Sequence, residues 1–157
     1  MTATEIQDYA AQLNLHRDGF CTAMDLHFVK ATASEVVIEW QLGPQHRQVY
    51  GIVHGGVYCG VIETAASVGA ALSLMPDDKS PVGLENNTTF IKAVREGKLR
   101  ATGRPLTRGR KTQVWEVEIR NETAQLIASG RVRLLCLEAG HPVGGEHIPR
   151  AKAVTKK

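Results

Sequence analysis

The sequence predicts an α+β domain: one antiparallel sheet of about five to six strands curled around one long central helix, with a short helix ahead of both. Three observations carry that expectation. The stretch from Gly55 to about Met75 is apolar or small on every side, with Glu63 its only charge, as expected of a helix buried all round. Most of the runs on either side alternate apolar and polar residues with the period of two that marks half-buried strands. Their order, two extended runs, the helix, then four more, suits a single sheet wrapped on a single helix. At 157 residues the chain is long enough for one such domain, expected over residues 1–138, to bury a core without metals or disulfides.

In chain order, residues from about 4 to 15 place Ile6, Tyr9, Ala10 and Leu13 at helical spacing, which predicts a short amphipathic helix packed on the sheet. Extended runs follow at about 24–31 and 34–43. In the second, Val36, Ile38, Trp40 and Leu42 alternate with Val37, Glu39 and Gln41 until Gly43-Pro44 ends the strand. The long apolar helix approaches a membrane span in length, but its interior glutamate, its glycines and serines and the strands after it argue for a core helix and against a membrane. Past Pro76 and Asp77-Asp78 come runs at about 82–93, 98–107, 111–121 and 125–137. Trp115, Val117 and Ile119 face one side and Glu116, Glu118 and Arg120 the other. From Ala139 a basic extension, residues 139–157, reads as a mobile tail.

Composition bounds the chemistry. Cys21, Cys59 and Cys136 are odd in number, widely spaced and set in apolar stretches, so they read as reduced thiols of a cytoplasmic protein and not as a metal site. The first residues lack the basic and apolar regions of a secretion signal. The net charge of +3 is matched by the tail alone, yet the segment from Arg95 to Lys111 holds a local excess of six positive charges, which points to an anionic ligand. Nucleic acid is the poorer candidate, because the segment has no interleaved aromatics and no nucleic-acid module is visible.

Glu63 is the anomaly. A carboxylate on an apolar helix must be protonated, paired, or facing water or a ligand. It shares a helical stripe with Gly56, Cys59, Gly60, Ser67 and Ala70, small residues that leave room for a substrate or for close packing. At the helix start, Val53-His54-Gly55-Gly56 offers backbone N–H groups with the positive end of the helix dipole behind them, a natural oxyanion site. Gly55 and Glu63 are separated by about 12 Å of helix rise, too far to act on one carbon within one chain, so the geometry calls for an oligomer. His54 reads either as a base or as a residue that fixes the loop, and Cys59 reads as packing.

The stretch from Gln48 through Val-Tyr-Gly-Ile-Val-His-Gly-Gly-Val-Tyr-Cys-Gly-Val-Ile-Glu63 to Ser67 resembles the signature of PaaI-type hotdog-fold acyl-CoA thioesterases, which include 4-hydroxybenzoyl-CoA and 1,4-dihydroxy-2-naphthoyl-CoA hydrolases. The order of strands is similar to that fold from about residue 20 to residue 137. The resemblance implies Glu63 as nucleophile or general base, the Gly55 N–H as the group that polarises the thioester carbonyl, and Gln48 orienting the carbonyl or the attacking water. It further implies that Ser67 holds water beside the acid and that His54 is the histidine of the motif. Gly56 would let substrate approach the backbone, Asn86, Asn87 and Phe90 would line the acyl pocket, and Glu85 is less expected there. Arg108, Gly109, Arg110, Lys111 and Thr112 match the turn where the family binds coenzyme A, whose phosphates suit guanidinium groups.

The expectation is therefore hydrolysis of an acyl- or aroyl-CoA by a homodimer, with two dimers in a homotetramer, using no cofactor because coenzyme A belongs to the substrate. Two other readings stand beside it. A non-catalytic acyl-CoA-binding hotdog module would share the fold. A hotdog dehydratase or hydratase would need a histidine paired with an acid at other positions.

Overall fold

A computed structural model describes residues 7–147. Two short helices, α1 (Ala10–Leu15) and α2 (Gly19–Ala23), precede strands β1 (His27–Ala31) and β2 (Val36–Gln41). The long helix α3 (Gly55–Leu74) follows, then β3 (Ser80–Phe90), β4 (Lys98–Arg108), β5 (Thr112–Asn121) and β6 (Leu126–Leu137). The six strands form one sheet in the order β1-β2-β4-β5-β6-β3, with every neighbouring pair antiparallel. This is the predicted hotdog architecture, with α3 lying against the inner face of strands β2 to β6.

Period-two alternation places Leu99 and Ala101 of β4, Trp115, Val117 and Ile119 of β5, and Ala128, Val132 and Leu134 of β6 against the helix, all essentially inaccessible. Small residues set how near α3 approaches. A Cβ on Gly69 would overlap the Trp115 ring, and a Cβ on Gly103 would press on Ala65 and Val117. The expectation that α3 is buried on every side is corrected. Val57, Val61, Ile62, Ala65, Ala66 and Ala70 are buried, but Cys59, Gly60, Glu63, Thr64, Ser67 and Val68 are only half-buried. One sheet covers one face of a helix, and the stripe that carries Glu63 runs along the margin of that face, beside the edge strand β3, where cover is only partial. Within that stripe Gly60 serves packing, because the Phe20 ring of α2 occupies the space a side chain there would need.

The two sheet edges differ. On β1, the Asn14 side chain accepts from the Phe28 N–H and donates to the Phe28 carbonyl, both at 2.9 Å. The Ala31 N–H donates to Asp8 Oδ1, and the Ala31 carbonyl accepts from the Tyr9 N–H. On β3 the residues from Gly83 to Asn87 are exposed, as are Thr89, Phe90 and, just past the strand, Ile91. Pro81 sits in this edge strand, where a missing N–H is tolerated.

The ends of the chain depart from expectation. The first helix begins at Ala10, and residues 4–6 of its predicted span lie outside the described residues. The unanticipated α2 is capped by Asp18, whose carboxylate accepts from the Cys21 N–H at 2.7 Å. The segment read as a mobile tail contains a two-strand hairpin, β7 (Pro142–Val143) with β8 (Glu146–His147). Gly144 and Gly145 both hold positive φ at its turn, as a tight hairpin requires. Residues 148–157 lie outside the described residues.

Candidate active site

Glu63 sits halfway along α3 and faces β3. Its Oε2 accepts from Asn86 Nδ2 at 3.0 Å, and Ser67, one turn further along the helix, donates to Oε1 at 3.4 Å. Gly83 of β3 stands directly against the carboxylate, since a Cβ there would overlap Oε1. Asn86, expected to line a pocket, is thus a partner of the acid. Asn87 lies on the other face of β3, in a depression with Thr89, Glu116 and Arg131, so the structure does not bring it together with Asn86 and Glu63. The cause is a bulge between Gly83 and Glu85 that shifts which residues of β3 face the helix.

The helix start is assembled by two histidines. His54 is the N-cap: its Nδ1 accepts from the Gly56 N–H at 2.8 Å and its carbonyl from the Val57 N–H at 2.9 Å. Of these first N–H groups, that of Gly55 is left without a partner among the described residues, where the helix dipole is most positive. Nδ1 must carry the lone pair in this arrangement, which supports the loop-fixing role for His54. The sequence reading missed His46, which is fully buried. The Gly43 N–H donates to its Nδ1 at 2.9 Å, so its Nε2 holds the proton and donates to the Met24 carbonyl at 2.8 Å. The His54 N–H donates in turn to the His46 carbonyl at 2.8 Å, tying the helix start to a buried ring. The Gly43-Pro44 break ahead of it was the only sequence signal of this anchored loop.

Gln48, Ile52, Gly55, Tyr58, Phe90 and Ile91 line one cavity of about 250 Å³ beside the helix start. The Phe90 ring covers Gly55, where a Cβ would stand 2.6 Å from it, and lies 6.1 Å from the Tyr58 ring at a 44° tilt. Gln48 borders the cavity, but its side-chain oxygen turns back to accept from the Tyr50 N–H. The Tyr58 hydroxyl is buried, without a partner among the described residues, and burial pushes its pKa up to about 12. Burial and the neighbouring Asp18 likewise hold the Cys21 thiol up at about 12, and burial raises that of Cys136, so neither is suited to nucleophilic work.

The basic segment is less of a cluster in space than in sequence. Lys98 and Arg100 pair with Glu39, Arg104 pairs with Glu35, and Arg95 donates to the Tyr50 carbonyl. Alternation along β4 turns Lys98, Arg100 and Arg104 onto the outer sheet face, where Glu39 of β2 and Glu35 of the preceding turn offset part of their charge. What remains is a recess at the far end of α3, bordered by Ser73, Asp77, Lys79, Arg108, Gly109 and Arg110. Lys111 and Thr112 fall outside its lining, and the Lys111 carbonyl accepts from the Cys136 N–H. Among the described residues no three His, Cys, Asp or Glu side chains converge as a metal site would require.

Comparison with known proteins agrees with the fold and the motif. The family profile described as Thioesterase superfamily matches residues 50–128. The chain is 38% identical over 122 residues to Rv1847 of Mycobacterium tuberculosis (strain ATCC 25618 / H37Rv), covering 76% of this chain and 87% of that one. The solved structure of Rv1847 matches with a TM-score of 0.76 over 80% of this chain and 100% of that one. Identity to the 1,4-dihydroxy-2-naphthoyl-CoA hydrolase of Listeria monocytogenes serotype 1/2a (strain 10403S) is 33% over 113 residues, 72% of this chain and 91% of the relative. The structure of thioesterase HI1161 from Haemophilus influenzae, 27% identical, gives a TM-score of 0.74 over 80% of this chain and 87% of that one. Sequence signature, strand order and these matches agree: the chain belongs to the thioesterase superfamily, as one of its hotdog-fold enzymes.

Proposed function

We propose that the protein hydrolyses an acyl-CoA or aroyl-CoA to the free acid and coenzyme A, with Glu63 as the reacting carboxylate and the Gly55 N–H of a second subunit polarising the thioester carbonyl. The observation that carries the reading is the presence on one helix of a carboxylate on the half-buried stripe of α3 and of an N–H at the helix start that has no partner among the described residues. As general base, Glu63 takes a proton from water while the water oxygen adds to the carbonyl carbon. The oxyanion rests on the Gly55 N–H, the C–S bond breaks, and the proton passes to the departing thiolate. As nucleophile, a Glu63 oxygen adds instead, the same bond breaks to leave an anhydride, and water hydrolyses it.

The two groups lie eight residues apart on one helix, roughly 12 Å, so each site draws on two chains and the functional unit is a homodimer. The asymmetry of the sheet edges supports this: β1 is tied off by Asn14, Asp8 and Tyr9, whereas the long β3 presents exposed apolar residues and a strand edge open to pairing. Two such dimers would make the homotetramer expected from the sequence. Coenzyme A phosphates are assigned to Arg108, Arg110 and Lys79 around the recess at Gly109, and the acyl group to the cavity under Phe90. The name of the Listeria relative makes an aroyl thioester the first substrate to try. The test is thiol release from a panel of acyl- and aroyl-CoAs. Wild type should cleave at least one and Glu63→Gln should lose at least a hundredfold in kcat. Equal rates for the two proteins would remove Glu63 from the chemistry.

A further inference from the structure

We propose that Asn86, locked by Thr88, is a positioning residue that aims the Glu63 carboxylate; the proposal rests on the reading of Glu63 as the reacting group. The Asn86 amide uses every polar atom it has. Nδ2 donates to Glu63 Oε2 at 3.0 Å and to the Cys59 carbonyl at 3.1 Å, and Oδ1 accepts from Thr88 Oγ1 at 2.7 Å. A flipped amide would set its oxygen against a carboxylate and a carbonyl at once, so the network fixes the orientation. Cys59 lies one turn before Glu63 on α3. The amide therefore ties strand to helix at the very turn from which the acid projects. A single neutral donor on one oxygen fixes the plane of the carboxylate, while a lysine or arginine there would also draw down its basicity.

The backbone of β3 is shaped for this contact. Gly83 faces Glu63, and strict alternation would next turn Glu85 toward the helix. The bulge at Leu84 adds one residue and inverts the parity. Glu85 turns outward to Arg133 at 3.2 Å, and Asn86 takes the inward place. Thr88, two residues on, faces inward as well, its hydroxyl within 2.7 Å of where a Cβ on Gly130 would stand. One inserted residue thus exchanges a second carboxylate, which would repel Glu63, for an amide that holds it.

The experiment measures kcat, KM and the pH–rate profile for wild type, Asn86→Leu, Asn86→Asp, Thr88→Val, Thr88→Ser and Glu63→Gln on whichever thioester the wild type cleaves. Asn86→Leu should lose roughly ten- to a hundredfold in kcat with KM within about threefold, the scale expected when a reacting group is mispositioned. Asn86→Asp should move the acid limb of the profile to higher pH. Thr88→Val should lose less than Asn86→Leu, and Thr88→Ser should recover most of that loss. If Asn86→Leu fails to fold, the Thr88 pair and the Asn86→Asp profile decide. An inactive Glu63→Gln beside Asn86 and Thr88 variants with wild-type kcat and acid limb overturns this proposal alone. A loss confined to KM also overturns it, returning Asn86 to the pocket wall. A fully active Glu63→Gln overturns the reading of Glu63, and the role of Asn86 falls with it.

Discussion

Gly83 leaves no room for a side chain beside Glu63: a Cβ at residue 83 would overlap the carboxylate oxygen Oε1. The φ of Gly83 is not among the positive ones, so glycine is needed here for space and not for backbone freedom. Because the obstructed atom is the end of a flexible, half-buried side chain, Gly83→Ala should shift the carboxylate while the sheet stands. The expected outcome is a melting temperature within a few degrees of wild type and a kcat lowered about tenfold or more. Thermal melts and thiol-release kinetics on the same preparation check it, and an unchanged kcat would show that the carboxylate need not sit where it does.

His54 separates capping from catalysis. As the N-cap that accepts from the Gly56 N–H, it should lose about 1 kcal/mol of stability on change to alanine and recover most of it as asparagine, which also caps well. A general base would behave otherwise, losing about a hundredfold or more in kcat with either substitution. Urea unfolding together with kcat for His54→Ala and His54→Asn tells the roles apart. The expected result is an Asn variant close to wild type in both.

How much of this was legible in the sequence follows from which interactions are local. The limits of α3, the inward residues of β5 and β6 and the lone Glu63 were readable, because periodicity and one charge in an apolar run are properties of consecutive residues. The bulge at Leu84 was not. Read with strict alternation, β3 gives no reason to prefer Asn86 over Asn87, and only the register against β6 separates them. The division of the basic run from Arg95 to Lys111 was not legible for the converse reason: the partners of Lys98, Arg100 and Arg104, Glu35 and Glu39, lie some sixty residues earlier and arrive through strand pairing. The half-buried stripe of α3 was hidden too, since an all-apolar helix gives no hint of which face its own sheet will cover.

Glu35 gives a pH dependence with a definite sign. The Lys30 hydrogen bond, at 2.9 Å, lowers its carboxyl below the ordinary 4.5; partial burial opposes this, and the charge of Arg104 adds to the lowering. A carboxylate with a depressed folded-state pKa stabilises the fold above its unfolded value and loses that contribution as pH falls through the folded one. Glu35→Gln should therefore be less stable than wild type at pH 7 by about 0.5–1 kcal/mol, the scale of partly exposed ion pairs. The difference should shrink as pH drops below 4.5. Parallel urea titrations at pH 7 and across the acid range check it. A gap that widens in acid would contradict the pairing.

The two-chain site makes a prediction that neither variant tests alone. Gly55 is the first residue of α3, where proline is tolerated because no intrahelical bond uses its N–H, so Gly55→Pro removes the proposed oxyanion donor while keeping the helix start. The Phe90 ring, largely exposed, has space to move off the added atoms. Glu63→Gln and Gly55→Pro should each be inactive as pure proteins. When they are unfolded together in equal amounts and refolded, half of the dimers carry one subunit of each kind. In such a dimer the Glu63 of one chain faces the Gly55 N–H of the other at one of its two sites, while the second site lacks both. Activity should return to about a quarter of wild type, as random pairing across an isologous interface requires. A site contained within one chain would recover nothing on mixing, because no chain in the mixture holds both groups. Light scattering on each refolded sample separates that outcome from a failure to pair: the mass of the wild-type assembly with no activity would overturn the two-chain site.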